Sequence, residues 1–528
     1  MTEPQGSGQS TPLDPSGELR NLASDCVHCG FCLPSCPTYQ LWGEEMDSPR
    51  GRIHLITQIL DGAAGTAAAA QHLDRCLGCM ACVTACPSGV QYDRLIEAAR
   101  GWAEETPAPA APGRASLARV SPGTGSAAPT APGPEPGAPG AALPPRSARD
   151  RALRAAIFSL FPYPRRLRAA IAPLRVAQRA GLDGLLDRSG LAGRLPPELA
   201  AALRLAPDPP PRDLSARERA AALRPVPRRR VAARRASRAG SGTAAAPRRP
   251  QRALPERVPA RGPRRAVVGM LTGCVQQVFF PQVNDATASV LAAEGCDVII
   301  PAGQGCCGAL SLHGGRRDEA AGFARRTIEV FERAGVDAVV INSAGCGSAM
   351  KEYTDLMAVK EASEGGMGRR AGGGGWDERA AALAGRVRDL TEFLVELGPV
   401  APRHPLAATV AYHDACHLAH AQKITAPPRE LLTAIPGLRL ADIADGTVCC
   451  GSAGIYNLVQ PEAARELGQR KAEAVAATGA DLLVSGNPGC AMQIASALAA
   501  RGARLPMRHT AEVLDASLRA ADVSTLLT

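Results

Sequence analysis

Cys26-Val-His-Cys29-Gly-Phe-Cys32-Leu-Pro-Ser-Cys36-Pro37 and Cys76-Leu-Gly-Cys79-Met-Ala-Cys82-Val-Thr-Ala-Cys86-Pro87 are two copies of one pattern, C-x2-C-x2-C-x3-C-P. This is the spacing with which bacterial-type ferredoxins hold four-iron clusters, and in a two-cluster module the fourth cysteine of each run crosses to the other cluster. The expected ligand sets are Cys26, Cys29, Cys32 and Cys86 for one [4Fe-4S] cluster, and Cys36, Cys76, Cys79 and Cys82 for the second. Two intervening residues let three successive sulfurs wrap a small, soft metal core. The proline after the fourth cysteine turns the chain away, having a fixed φ and no N–H to donate. A zinc ribbon uses only two C-x2-C pairs, which leaves the third step and the C-P unexplained.

The flanks of the two runs read as helices. Ser48-Pro49-Arg50-Gly51-Arg52 opens one, with Ser48 as N-cap and Pro49 at the first helical position. Ile53, Ile56 and Leu60 share one face of it, and Gly62 ends it. After the second run, Leu95, Ile96, Ala99 and Trp102 form the apolar side of another helix. Residues 20–104 are therefore expected to be an α-helical two-cluster module held together largely by its clusters.

The 528 residues leave room for further domains, and 45% apolar content supports a real core, though aromatics are only 3%. Met1–Gly17 is polar without an apolar signal-type segment, and no apolar run approaches the length that spans a membrane. Seventeen cysteines in that context point to metal chemistry in a reducing compartment rather than to disulfides. The expected location is cytoplasmic, with peripheral contact to the inner face of the membrane as an extension.

The formal charge of +10 is unevenly spread. Arg224–Arg265 carries fourteen arginines against one acid, Glu256, so the rest of the chain is slightly acidic. The arginines alternate with Pro, Ala and Gly, without aromatics for base stacking and without helical period, so a solvated connector (206–264) is expected rather than a nucleic-acid arm. Residues 105–149 form a second connector, with eleven prolines between Thr106 and Pro145. Between them, 150–205 regain helical pattern through Leu153, Ile157, Leu160, Leu167, Ile171 and Leu174 among many arginines. Such a basic amphipathic segment packs on its own protein or on a partner, or lies on a membrane surface.

The remaining cysteines repeat. Cys274, Cys306-Cys307-Gly308 and Cys346 recur as Cys416, Cys449-Cys450-Gly451 and Cys490, at offsets of 142, 143 and 144 residues. Only Cys296 has no counterpart. Each unit alternates apolar strands with helices: Ala266–Leu271, Val298–Pro301 and Ala338–Asn342 in the first copy, and Thr409–Tyr412, Leu438–Ile443 and Asp481–Val484 in the second. This predicts parallel α/β sheets with every cysteine just beyond a strand's carboxyl end, where open sheets place ligands. Each repeat thus offers an additional candidate metal or cluster site: Cys274, Cys306, Cys307 and Cys346 in residues 265–400, and Cys416, Cys449, Cys450 and Cys490 in residues 401–520. Glycine after each pair is expected to let backbone approach sulfur closely.

Three features are weaker. Gly303-Gln-Gly305-Cys-Cys-Gly308 matches G-x-G-x-x-G, but the dinucleotide fingerprint needs a helix opening at that turn, and Ala309–Gly315 shows no helical run. No flavin or nicotinamide site is therefore assigned to this chain. His413 and His417 are four apart but lie at a strand end, where hydrogen bonding near a cluster is as good a role as a shared metal. Gly365–Gly375 reads as a surface loop.

Taken together, Cys29-Gly-Phe-Cys32, Cys36-Pro-Thr-Tyr39, Ser48-Pro-Arg-Gly-Arg-Ile53, Leu271-Thr-Gly-Cys274-Val-Gln276 and Tyr412-His-Asp-Ala-Cys416-His417 resemble the iron–sulfur subunit of glycolate oxidase, or glycolate dehydrogenase. The resemblance covers about 20–104, 150–205 and 265–520. It implies an α+β multidomain protein: an α-helical 2×[4Fe-4S] ferredoxin module followed by tandem α/β Cys-Cys-Gly repeats. It also implies electron transfer in a complex whose FAD-binding subunits oxidise glycolate to glyoxylate, with FAD and catalysis on the partners, a membrane quinone as a candidate acceptor and no nucleic acid. Lactate and glycerol 3-phosphate dehydrogenases are the related alternatives, together with a disulfide or quinone reductase acting at the Cys-Cys-Gly sites. Some relatives hold an unusual cluster through a terminal C-x2-C in that domain. Here Ser343 and Asn487 stand where its first cysteine would be, leaving four cysteines per repeat.

Overall fold

The computed structural model describes residues 13–14, 17–62, 66–105, 147–180, 202–203, 205, 254–363 and 375–527. The proline-rich connector, most of the arginine-rich one and the glycine-rich loop lie outside them. No helix among the described residues is long and apolar enough to cross a membrane.

The N-terminal module is helical. Ser48 caps the Pro49–Leu60 helix, its hydroxyl accepting from Gly51 N at 3.0 Å. Gly51 is obligatory there: a Cβ would sit 2.0 Å from the Glu45 carbonyl oxygen. Ile53, Ile56 and Leu60 pack against Leu73, Leu95, Ile96 and Ala99 from the Thr66–Arg75 and Tyr92–Glu105 helices. Burying each such Leu or Ile contributes about 1.5–3 kcal/mol. Beneath them Asp47, fully buried, accepts from Arg75 at 2.9 Å, Arg52 at 3.3 Å and His72 at 2.9 Å.

The two repeats form two sheets of matching order. The first runs β1-β3-β2-β4-β5 and the second β7-β6-β8-β9. The first comprises β1 (Arg257–Val258), β2 (Ala266–Met270), β3 (Cys296–Ile299), β4 (Ala338–Ile341) and β5 (Val387–Asp389). The second comprises β6 (Ala408–His413), β7 (Leu438–Ala441), β8 (Leu482–Ser485) and β9 (Met507–Arg508). All pairings are parallel except β1 with β3. The repeat extends to detail: Asp337 accepts from Val267 N, and Asp481 from Thr409 N, both at 2.8 Å.

Three strands carry no sequence pattern long enough to recognise: β1, β5 and β9 have two or three residues and gain their identity from the strand beside them. β1 also lies inside the stretch expected to be connector, so the fold resumes before residue 265. A five-residue helix, Ala309–His313, opens directly after Gly308 where none was expected.

One apolar core crosses between the repeats, with Val290, Leu291 and Leu394 of the first packing with Leu432, Val513 and Leu514 of the second. The chain between them is pinned by Glu294, wholly buried, which accepts from Val400 N, Ala401 N and Arg403. The Ala148–Leu160 and Pro164–Arg179 helices lie on the body of the protein. Ile157 and Phe158 pack on Ile455 and Leu458 of the second repeat, and Arg154 pairs with Asp74 of the module at 3.3 Å.

Candidate metal centres

Two adjoining cavities sit among the N-terminal cysteines. One is lined by Cys26, Cys29, Cys32, Cys82 and Cys86, the other by Cys36, Cys76, Cys79 and Cys82. Cys86 thus lies with the first run and Cys36 with the second, while Cys82 borders both. A four-thiol lining is the donor chemistry a four-iron cluster takes.

The local backbone explains the convergence. Within the two C-x2-C steps, His28 and Gly78 have φ of 53° and 65°, and Gly30 and Met80 have 86° and 62°. Each run therefore contains two left-handed residues at equivalent positions, which curl the three thiols toward one point. His28 and Met80 bear a Cβ in that region, a strain of order 1–3 kcal/mol each that a bound group must over-determine. The glycines hint at this curl; the His and the Met give no sign of it.

The two cavities differ in depth. Cys29 is exposed and Cys26, Cys32 and Cys86 are half-buried, whereas Cys36, Cys76, Cys79 and Cys82 are all buried. Cys76 gains polar support: Tyr92, outside the motif, donates to its sulfur at 3.5 Å, and Gly78 N, within it, at 3.3 Å. Burial pushes its thiol up, but Arg52 and Arg100 outweigh burial and hold it below the usual value. Burial alone opposes the charge of Arg52; Cys76, Tyr92, Cys36 and Asp47 keep the guanidinium protonated. Asp47, Arg52, Tyr92 and Arg100 carry no sequence signal as site residues, because only packing brings them to the sulfurs.

The second cavity abuts the second repeat. Leu77, Cys79 and Ala81 pack with Cys416, Cys449, Tyr456 and Leu467. Burial raises the Cys79 thiol well above its usual value, and the nearby Cys416 raises it further.

Each repeat gathers its four cysteines. In the first, Cys274 Sγ lies 3.5 Å from Cys306 Sγ, and Cys307 is in hydrogen-bond reach of Cys346. In the second, Cys416 Sγ lies 4.0 Å from Cys449 Sγ, and Cys450 is in reach of Cys490. Cys346 and Cys490 sit in the first turns of the Ala344–Lys351 and Pro488–Ala500 helices, where the neighbouring Cys307 and Cys450 thiols, and then burial, hold them well above their usual values. Cys296 stands apart, wholly buried in β3, where burial raises its thiol to about 12. It is a core residue.

Two expectations change here. Gly308 and Gly451 have φ of 90° and 88°, and a Cβ on either would strike a helix backbone, at 3.0 Å from Ala320 O and 2.7 Å from Ala464 O. They are required for the turn and for helix approach, not only for access to sulfur. The two histidines do not share a site. His413 ends β6 and faces Cys450 and Cys490, whereas His417 lies in a π-helical turn, His417–Ala421, with Nδ1 3.4 Å from Cys416 Sγ. The His417 ring lies 4.8 Å from, and tilted 55° to, that of His313 of the first repeat, whose Nδ1 is 3.2 Å from Glu97 of the module. Beside them burial, reinforced by Glu97, raises Glu352 to about 8.

Comparison with known proteins matches this layout. Residues 22–90 match the 4Fe-4S dicluster domain family, 149–206 the linker region of the glycolate oxidase iron-sulfur subunit, and 268–351 and 410–495 the cysteine-rich domain. The chain is 32% identical over 508 residues to a probable glycolate oxidase iron-sulfur subunit of Bacillus subtilis, covering 94% of both chains. It is 30% identical over 510 residues to the glycolate oxidase iron-sulfur subunit of Escherichia coli, covering 95% of both. Lactate utilization protein A of Shouchella clausii is 32% identical over 249 residues, 47% of this chain and 98% of that one.

Proposed function

The chain belongs to the glycolate oxidase iron–sulfur subunit family, and from that premise we propose that it is the electron-transfer subunit of a flavin-dependent complex oxidising glycolate to glyoxylate. The oxidation removes two electrons and two protons from the substrate. In this reading an FAD-bearing partner takes them from the substrate, and a membrane quinone is the eventual acceptor. Bound at the eight N-terminal cysteines, two [4Fe-4S] clusters supply one-electron carriers.

The observation that carries the reading is the graded burial of those cysteines, from the exposed Cys29 to the buried Cys79 packed beside Cys416. The exposed end is open to a redox partner. At the buried end Leu77, Tyr456 and Leu467 exclude water, while Tyr92, Gly78 and Arg52 act on Cys76 and so bear on reduction potential. The match to the glycolate oxidase linker region, together with relatives covering 94–95% of the chain against 47% for the lactate utilization protein, favours glycolate over lactate as the substrate of the complex.

The test uses the complex purified anaerobically with its partner subunits. Glycolate should reduce the clusters, read by electron paramagnetic resonance. In Cys29→Ser or Cys79→Ser the partner's flavin should still bleach while electrons no longer reach the acceptor. Cluster reduction by lactate and not by glycolate would replace the reading with the lactate alternative. No reduction by either would overturn it.

A further inference from the structure

His413, Cys450 and Cys490 are all buried, and their ligating atoms lie within 4.8 Å of one another. They come from the carboxyl ends of three neighbouring strands in the order β7-β6-β8: Cys450 from the loop after β7, His413 from the last position of β6, and Cys490 from the helix after β8. His413 Nδ1 is held by Ser485 Oγ at 3.2 Å, while its Nε2 is buried with no hydrogen-bond partner. An orphaned buried ring nitrogen is costly, and a ring oriented through one nitrogen with the other free is the arrangement of a metal-ligating histidine. Asn487 Nδ2 donates to Cys490 Sγ at 3.4 Å, which orients that sulfur.

The first repeat lacks this arrangement. Three residues before its Cys274, where the second repeat has His413 before Cys416, stands Leu271, which is buried in the apolar core. Among the described residues, no histidine joins Cys307 and Cys346 in a comparable group.

We propose that the second repeat alone holds a single divalent metal of the zinc class, on His413 Nε2, Cys450 and Cys490. One nitrogen with two thiolates suits a borderline-soft ion. Three protein ligands leave the fourth tetrahedral position to an exogenous light donor, the pattern of reactive rather than purely structural zinc sites. This goes beyond the electron-transfer reading and does not rest on it.

The test is elemental analysis of the full-length, anaerobically purified chain, with zinc K-edge absorption, which is blind to iron. About one zinc per chain is expected, in a shell of two sulfurs near 2.3 Å and two nitrogen or oxygen atoms near 2.0–2.1 Å. His413→Leu installs the residue the first repeat already accommodates, so folding should survive. It and Cys490→Ser should each lower zinc at least tenfold, while Cys346→Ser in the first repeat keeps it. Iron, about eight per chain for two clusters, should be the same in all four proteins. The proposal is overturned by absence of zinc, by a shell of three or more sulfurs, or by zinc retained in His413→Leu. It is equally overturned by about four additional irons with sulfide that vanish in Cys490→Ser, which would mean a cluster. Because iron is read separately, failure of the N-terminal cluster assignment would not be mistaken for failure of this one.

Discussion

Thr84 Oγ1 and His420 Nδ1 share a 3.0 Å hydrogen bond across 336 residues of sequence. It joins the short helix that carries Cys82 to the π-helical turn after Cys416. The other ring nitrogen lies 3.1 Å from the carbonyl of Thr447. A carbonyl can only accept, so Nε2 bears the proton and Nδ1 accepts from the threonine hydroxyl. The bond fixes the ferredoxin module's inner face against the second repeat.

Removing that donor with Thr84→Val should cost about 1–2 kcal/mol, since it leaves a buried acceptor unpaired. Thermal unfolding of the cluster-loaded protein should show it as a Tm drop of a few degrees, with iron content unchanged. An identical Tm would show that the contact carries no net energy.

The crossed ligand sets make a sharper demand. Cys29 and Cys86 are 57 residues apart in the chain but line one cavity, so Cys29→Ser and Cys86→Ser together should lose no more iron than either alone, about four per chain. Cys29→Ser combined with Cys79→Ser should lose about twice that. Additive loss in the first pair would mean each run holds its own cluster.

Asp47→Asn should be among the most damaging changes outside the cysteines. It leaves Arg52, which is fully buried, without its carboxylate. Breaking such a buried pair costs about 3–5 kcal/mol. Because Arg52 also acts on Cys36 and Cys76, reduced cluster occupancy should accompany the fall in denaturation midpoint.

Gly451→Ala combines a left-handed backbone with a 2.7 Å approach to Ala464 O, whereas Gly479, at φ 62°, has open space around it. Alanine at 479 should cost about 1–2 kcal/mol from strain alone. At 451 it should cost more, as measured by denaturant midpoint. Equal losses would show that the helix moves aside freely.

Glu352 gives a pH signature. In the fold, burial and then Glu97 raise its carboxyl to about 8 from an ordinary 4.5. Between those values the folded protein keeps a proton that the unfolded chain has released. Its contribution is therefore present below about 4.5 and lost as pH rises through about 8, with a slope of at most about 1.4 kcal/mol per pH unit. Stability measured from pH 6.5 to 8 should fall more steeply in the native protein than in Glu352→Gln. Parallel curves would mean the carboxylate is ionised in the fold.

Much of this architecture is legible in the chain. The two C-x2-C-x2-C-x3-C-P runs announce the module, because thiolate spacing must match a cluster whatever surrounds it. The recurrence of Cys-Cys-Gly announces paired α/β units, and apolar runs such as Ala266–Met270 and Leu482–Ser485 are long enough to read as strands. β1, β5 and β9 are too short to bear a period, and each exists only because a neighbouring edge offers unpaired backbone.

What the sequence by itself determined is therefore local: ligand spacing, the Ser48 cap and the apolar runs that become the longer strands. Which groups meet across distance was decided by the tertiary structure alone. His413 and His417, four residues apart, part toward different partners because a strand ends between them and a π-turn begins. Cys79 comes to rest beside Cys416, and Glu97 beside His313, because three apolar surfaces close on one another. Hydrophobic packing is non-directional and leaves no motif, so the groups it gathers can be recognised only once the chain is folded.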